Sequence, residues 1–211
     1  MSLTAAAPLS AELRARTSGA HTGAETAPLF ARLSAGAVSR DEVAGLLGRL
    51  LPVYEALESA AGLWVDDPVV APLLLPGLER APRLRADLAA LGTGPVLSPA
   101  AAAYAGRVAQ AATAGRPAFI AHHYTRYLGD LSGGQVIRAA LGRTLGLDAA
   151  TGASFFVFDG LRPGPVKQAY RSVLDTLPFS TAERDALVAE VLVAYRLNTD
   201  IARELTPGET A

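Results

Sequence analysis

Three glycines, Gly129, Gly133 and Gly134, interrupt a stretch that otherwise reads as one continuous helix, Tyr124-Thr-Arg-Tyr-Leu-Gly-Asp-Leu-Ser-Gly-Gly-Gln-Val-Ile-Arg138. Helical spacing of apolar residues continues on both sides, with Phe119, Ile120 and Tyr127 before the glycines and Val136, Ile137, Ala140 and Leu141 after them. An interior glycine costs about 1 kcal/mol relative to alanine, so the three together cost roughly 3 kcal/mol. Elsewhere the chain fills such positions with alanine. Gly129 and Gly133 are four apart and share one face, which is left without side chains. Such a face lets something pack directly on the backbone, and Gly133-Gly134 lets the helix bend. Two occupants suit it: another helix, or a flat ligand.

The rest of the chain predicts an all-α fold in a single domain over 9–205, with a leader at 1–8 and a tail at 206–211. Half of the 211 residues are hydrophobic, but aromatics are only 6% and much of the remainder is alanine, a balance that favours closely packed helices over sheets. Leu9 to His21 reads as a helix with Ser10 as its N-cap, closed by Thr26-Ala-Pro28, and a short helix follows from Leu29 to Leu33. Ser39-Arg-Asp-Glu42 is a capping box for a helix to about Leu63, with Pro52 near its middle. Its stripe of Val43, Leu46, Leu47, Leu50, Val53, Tyr54 and Leu57 predicts one buried face. Proline-broken turns over 64–79 precede a helix from about Leu78 to Leu91, and Ser98-Pro99 opens another that ends at Ala114. The glycine-bearing helix then spans roughly 117–145. Phe155-Phe-Val-Phe158 reads as an apolar plug in a connection, Pro163 to Leu177 as a helix, and Ser180-Thr-Ala-Glu183 as the capping box of a last helix to about Leu205.

Several function classes fall away. Lys and Arg number 19 against 20 Asp and Glu, with no basic block, so nucleic acid is not an expected partner. The chain has no cysteine, which excludes disulfides, thiol catalysis and iron–sulfur ligation by its own residues. The most apolar stretch, Pro68 to Leu78, is broken by Pro72 and Pro76 and is too short to span a bilayer. A cytoplasmic monomer without secretory signal or membrane anchor is expected.

The run Tyr124 to Gln135 resembles the distal-helix signature of the heme oxygenases, and the segment Ala20-His-Thr-Gly-Ala-Glu25 resembles their proximal-histidine segment. The resemblance extends from Leu9 to about Leu205. It implies heme b as both substrate and cofactor, sandwiched between a proximal helix and a kinked distal helix. It also implies cleavage by O2 to biliverdin, carbon monoxide and ferrous iron. Electrons come from a donor such as ferredoxin or flavodoxin with its reductase, in the service of iron acquisition or bilin supply. A non-catalytic heme carrier on the same fold is the alternative from another class.

The resemblance also assigns roles. Taken alone, His21 is either a helix-end histidine capping carbonyls or a metal ligand; the resemblance makes it the axial ligand of heme iron. Glu25, one turn on, is near enough to bond its other ring nitrogen, and Ala20 and Ala24 are small enough to admit a macrocycle. His122, seven residues before Gly129, is the rival iron ligand; the resemblance puts it and His123 outside the pocket. Arg14, two turns before His21, is either a solvated surface cation or a partner for a heme propionate, where the family usually has lysine. Lys167 and Arg171, four apart on one face, pair with the propionates in the resemblance, Tyr124 adds a hydroxyl at that rim, and the match implies cleavage at the α-meso carbon. Asp130 is either half of a helix-face pair with Arg126 or a carboxylate that delivers protons through ordered water. In the resemblance it does the latter, with Gly129 and Gly133 leaving room for oxygen and with Tyr54 and Arg126 in the same network. Thr125, Ser132, Gly134, Tyr195 and Asn198 complete the expected heme contacts, Tyr195 standing where the family has phenylalanine.

Overall fold

A computed structural model of the chain describes residues 7–206, so the expected leader and tail, apart from residues 7, 8 and 206, lie outside the described residues. Among the described residues the regular elements are all helical. They are α1 (Leu9–Glu25), α2 (Pro28–Ala35), α3 (Arg40–Ala61), α4 (Ala81–Ala90), α5 (Pro99–Ala114), α6 (Arg116–Asp130), α7 (Gly133–Leu145), α8 (Pro163–Thr176) and α9 (Thr181–Arg203). Single 3₁₀ turns sit at Gly62–Trp64, Ala71–Leu73 and Ser154–Phe156.

The predicted stripe of α3 is buried throughout, and that face packs on α4 and α5. Helix α6 lies between α5 and α9; α1 packs on α9 and α8, and α7 leans on α2. Both capping boxes form: the Ser39 hydroxyl accepts from the Glu42 N–H while the Glu42 carboxylate accepts from the Ser39 N–H, and Ser180 with Glu183 does the same. Ser98 caps α5, with Pro99 at the first helical position.

Three expectations change. The helix expected over 117–145 is two helices, parted at Leu131 and Ser132, where Ser132 adopts φ −110°, ψ −82°. The Ser132 N–H turns to the Gly129 carbonyl at 3.1 Å, closing α6 with a tighter turn. Apolar periodicity continues across the break, which hides it from pattern reading, but the glycine pair after it offers the backbone little resistance. Ser10 is not the cap of α1. Pro8 holds that position, and the Ser10 N–H and hydroxyl donate to Asp175 of α8, at 2.7 and 3.0 Å. Helix α1 also runs one turn further than expected, to Glu25.

The capping box of α3 gives a test of this reading. Ser39→Ala removes the acceptor for the Glu42 N–H and is expected to lower unfolding free energy by about 1 kcal/mol, read as a shifted urea midpoint with unchanged slope.

Candidate active site

Helix α1, the α6–α7 pair and α9 surround a cleft of about 400 Å³. Its apolar wall includes Phe30, Leu50, Leu128, Ile137, Phe155 and Phe156. The sequence reading placed Leu50 in the general core and Phe155–Phe158 in a plug. Their place in the wall depends on tertiary packing that no local pattern reports.

The bare helix face opens onto this cleft. A Cβ built on Gly129 or Gly133 would meet nothing within 4 Å, so no helix among the described residues covers the stripe. Of the two occupants such a face suits, the protein itself does not supply the first. Gly134 is different: a Cβ there would meet Phe156 at 3.4 Å, so this glycine sits in close packing against the wall.

His21 reaches the cleft from α1 with its side chain half exposed. Its Nδ1 lies 3.3 Å from Glu25 Oε2, one helical turn on, and its ring meets Tyr195 edge-on with centroids 5.9 Å apart. A carboxylate on Nδ1 leaves Nε2 as the nitrogen free to act as a ligand. Ala24 and Glu25 line the cleft beside it.

Asp130 follows Gly129 as the last residue of α6, just before the break, and is buried. The Tyr54 hydroxyl donates to Asp130 Oδ2, Arg126 Nη2 donates to Oδ1 at 3.2 Å, and Arg126 Nε donates to the Tyr54 oxygen at 3.0 Å. Arg126 Nη1 donates to Asn198 Oδ1, tying the group to α9. Burial pushes the Asp130 carboxyl above the usual carboxylate range, and Arg126 and Tyr54 hold it part of the way back. Burial likewise drives the Tyr54 phenol well up. A carboxyl so placed can hold a proton and pass it on. Asp130, Arg126 and Asn198 line the cleft, with Tyr54 packed behind them.

Thr125, Ser132 and Tyr195 also line the cleft, as do Tyr124 and Arg171. Burial raises the Tyr124 phenol, while Arg171 and Arg14 nearby pull it back. Lys167 and Arg14 do not line the cleft. Lys167 Nζ donates to Ser132 Oγ at 3.0 Å, which brings its charge to the α6–α7 break. Among the described residues, Arg14, Lys167 and Arg171 form no salt bridge, whereas ten other arginines do.

The rival ligand His122 is fully buried away from the cleft, its Nε2 bonded to Glu190 Oε1 at 2.8 Å. Arg107 Nε donates to the same oxygen at 2.8 Å. His123 is buried too, bonded through Nδ1 to the Tyr170 hydroxyl at 2.8 Å, and burial presses its pKa down to about 3.

These residues fit a flat macrocycle: backbone without side chains, one histidine with a carboxylate 3.3 Å from its second nitrogen, and Arg171 in the lining without a salt bridge among the described residues. The comparisons agree. The model of the heme oxygenase family matches residues 7–204. The heme oxygenase of Porphyra purpurea is 33% identical over 204 residues, covering 93% of this chain and 86% of its own length. Heme oxygenase 2 of Synechocystis is 34% identical over 207 residues, covering 93% and 82%. The crystal structure of heme oxygenase-1 from the same cyanobacterium, in complex with heme, superposes with a TM-score of 0.87 at 31% identity, covering 94% of this chain and 92% of that one.

The His122 cluster generates a pH prediction. Burial alone would raise the Glu190 carboxyl, but His122 and Arg107 outweigh it and lower its pKa from 4.5 to about 2. A folded-state pKa below the unfolded value gives stability that is full above pH 4.5 and fades as pH falls toward 2. Glu190→Gln is expected to cost about 1–3 kcal/mol at neutral pH. The gap from the parent protein should close on acidification through that window, as measured by urea unfolding at a series of pH values.

Proposed function

The chain belongs to the heme oxygenase family, and from that premise we propose that its cleft takes heme b, as substrate and cofactor together, for oxygen-dependent cleavage to biliverdin, carbon monoxide and ferrous iron. The observation that carries the reading is the bare Gly129–Gly133 backbone lining one cleft with His21. Bound heme supplies the redox-active iron and the ring that oxygen attacks. The remaining work falls to the chain.

His21 would hold the iron through Nε2, with the Glu25 carboxylate 3.3 Å from Nδ1 placed to orient the imidazole and raise its basicity. Ala24, Thr125, Ser132 and Gly134 shape the contact surface, with Tyr195 and Asn198 closing it from α9. Arg14, Lys167 and Arg171, without carboxylate partners among the described residues, would receive the propionates, with Tyr124 near them. That anchoring would fix how the ring can turn in the cleft, which is how these residues would select the α-meso carbon. Gly129 and Gly133 leave room for oxygen over the ring. Asp130 supplies protons through ordered water, while Tyr54, Arg126 and Asn198 hold its carboxylate in place.

Electrons come from a small external donor, ferredoxin or flavodoxin with its reductase, and the protein works as a cytoplasmic monomer. No helix among the described residues is long and apolar enough to cross a membrane.

The test is an optical time course with stoichiometric hemin in air, started with ascorbate in the presence of catalase. The Soret band is expected to decay as a broad red biliverdin band grows. A Soret band that forms and persists would favour a heme carrier, and no Soret shift would overturn the reading. In parallel, His21→Ala is expected to lose the iron–histidine band in resonance Raman spectra; an unchanged band would remove His21 as the ligand.

A further inference from the structure

Arg80 is 2% exposed, and among the described residues its guanidinium forms no salt bridge. A buried cation without an ion-pair partner is costly unless its donors are satisfied. Here they are, by backbone: Nε donates to the Leu78 carbonyl at 2.8 Å, Nη2 to Gly77 at 2.9 Å, and Nη1 to Phe155 at 3.2 Å and Val157 at 2.5 Å. The plane also lies over the Phe158 ring, 3.9 Å from its centroid. The same turn is gripped from a second point. Asp87, 1% exposed on α4, accepts the Ser154 N–H on one oxygen and the Phe155 N–H on the other, both at 2.7 Å.

What the turn does next gives the grip a purpose. The Phe155 ring meets edge-on, with centroids 5.4 Å apart, the ring of Tyr54, whose hydroxyl donates to Asp130. Phe156 abuts Gly134, and its carbonyl accepts from Gln135 Nε2 at 2.9 Å. Neither Arg80 nor Asp87 lines the cleft. We infer that Arg80 and Asp87 are positioning residues for heme cleavage: they clamp the Ser154–Val157 turn, which seats the start of α7, and with it the bare Gly133 backbone, against the cleft. The fork geometry matters, since only a planar guanidinium reaches carbonyls on both 77–78 and 155–157 at once. The charge of Arg80 also lies within electrostatic reach of Asp130 and Tyr54, so the clamp is electrically part of the site it supports.

This inference rests on the heme-cleaving reading, and its test separates the two. Arg80→Lys keeps charge and stem but loses the fork; Asp87→Asn keeps shape but sets an amide against one of the two N–H donors. Leu187→Ala, in the core of α9, serves as a destabilised control away from the turn. In the protein without heme, amide hydrogen exchange at Ser154 and Phe155 is expected to speed up at least tenfold in Asp87→Asn and to stay unchanged in Leu187→Ala. With hemin, both clamp variants should keep the iron–histidine band yet release at least a tenth of their biliverdin as isomers that the parent protein does not make. The Leu187→Ala control should give the parental isomer. Should Arg80→Lys fail to fold, Asp87→Asn carries the test. Clamp variants with parental exchange and parental isomers overturn the inference. A parent protein that leaves hemin intact overturns the reading beneath it instead.

Discussion

An uncovered stretch of helix backbone is the constraint around which the molecule is arranged. Helical proteins bury much of their backbone under side chains and neighbouring helices, and this chain uses buried alanines such as Ala101, Ala111, Ala121, Ala140 and Ala194 at its close contacts. At Gly129 and Gly133 it leaves the backbone facing open space, at a cost of roughly 1 kcal/mol per glycine. Keeping that stripe open requires that the helices around it be held apart. Helix α9 packs along α6, α2 supports α7, and the Ser154–Val157 turn backs Gly134. The break at Ser132 belongs to the same arrangement, because it lets α7 leave the line of α6 while both stay along one cleft.

Two buried polar groups share helix α6 and differ in what surrounds them. His122, Glu190 and Arg107 form a bridge to α9 and α5 in which the carboxylate is held strongly ionised. That is a structural tie. Asp130 meets its own arginine and a tyrosine at the cleft wall, where burial pushes its carboxyl up against the pull of Arg126. The first group locks helices together; the second sets a carboxyl with a raised pKa beside the open backbone.

Much of this was legible in the chain. The glycine spacing, both capping boxes and the α3 stripe are local patterns with fixed periods, and they reappear in the structure as read. So does the Glu25 carboxylate beside His21, because residues four apart on a helix are neighbours. The departures share one physical cause. Ser10 finds its partner 165 residues away, and the Arg80 guanidinium reaches backbone carbonyls 75 and 77 residues on. Backbone acceptors carry no side-chain signature, so a buried arginine that binds them looks in sequence like any surface arginine. The break between α6 and α7 was masked for a related reason: the apolar period on both sides is helical, and only the Ser132 dihedrals record the turn.

The central claim is that the bare stripe exists for a flat ligand and not for packing within the protein. Replacing Gly129 with alanine tests it most directly, through paired measurement of unfolding free energy without heme and of hemin affinity. A Cβ at Gly129 meets nothing in the protein, so stability without heme should hold or rise, by up to about 1 kcal/mol, while hemin affinity falls at least tenfold. A destabilised protein that binds hemin as tightly as its parent would contradict the account.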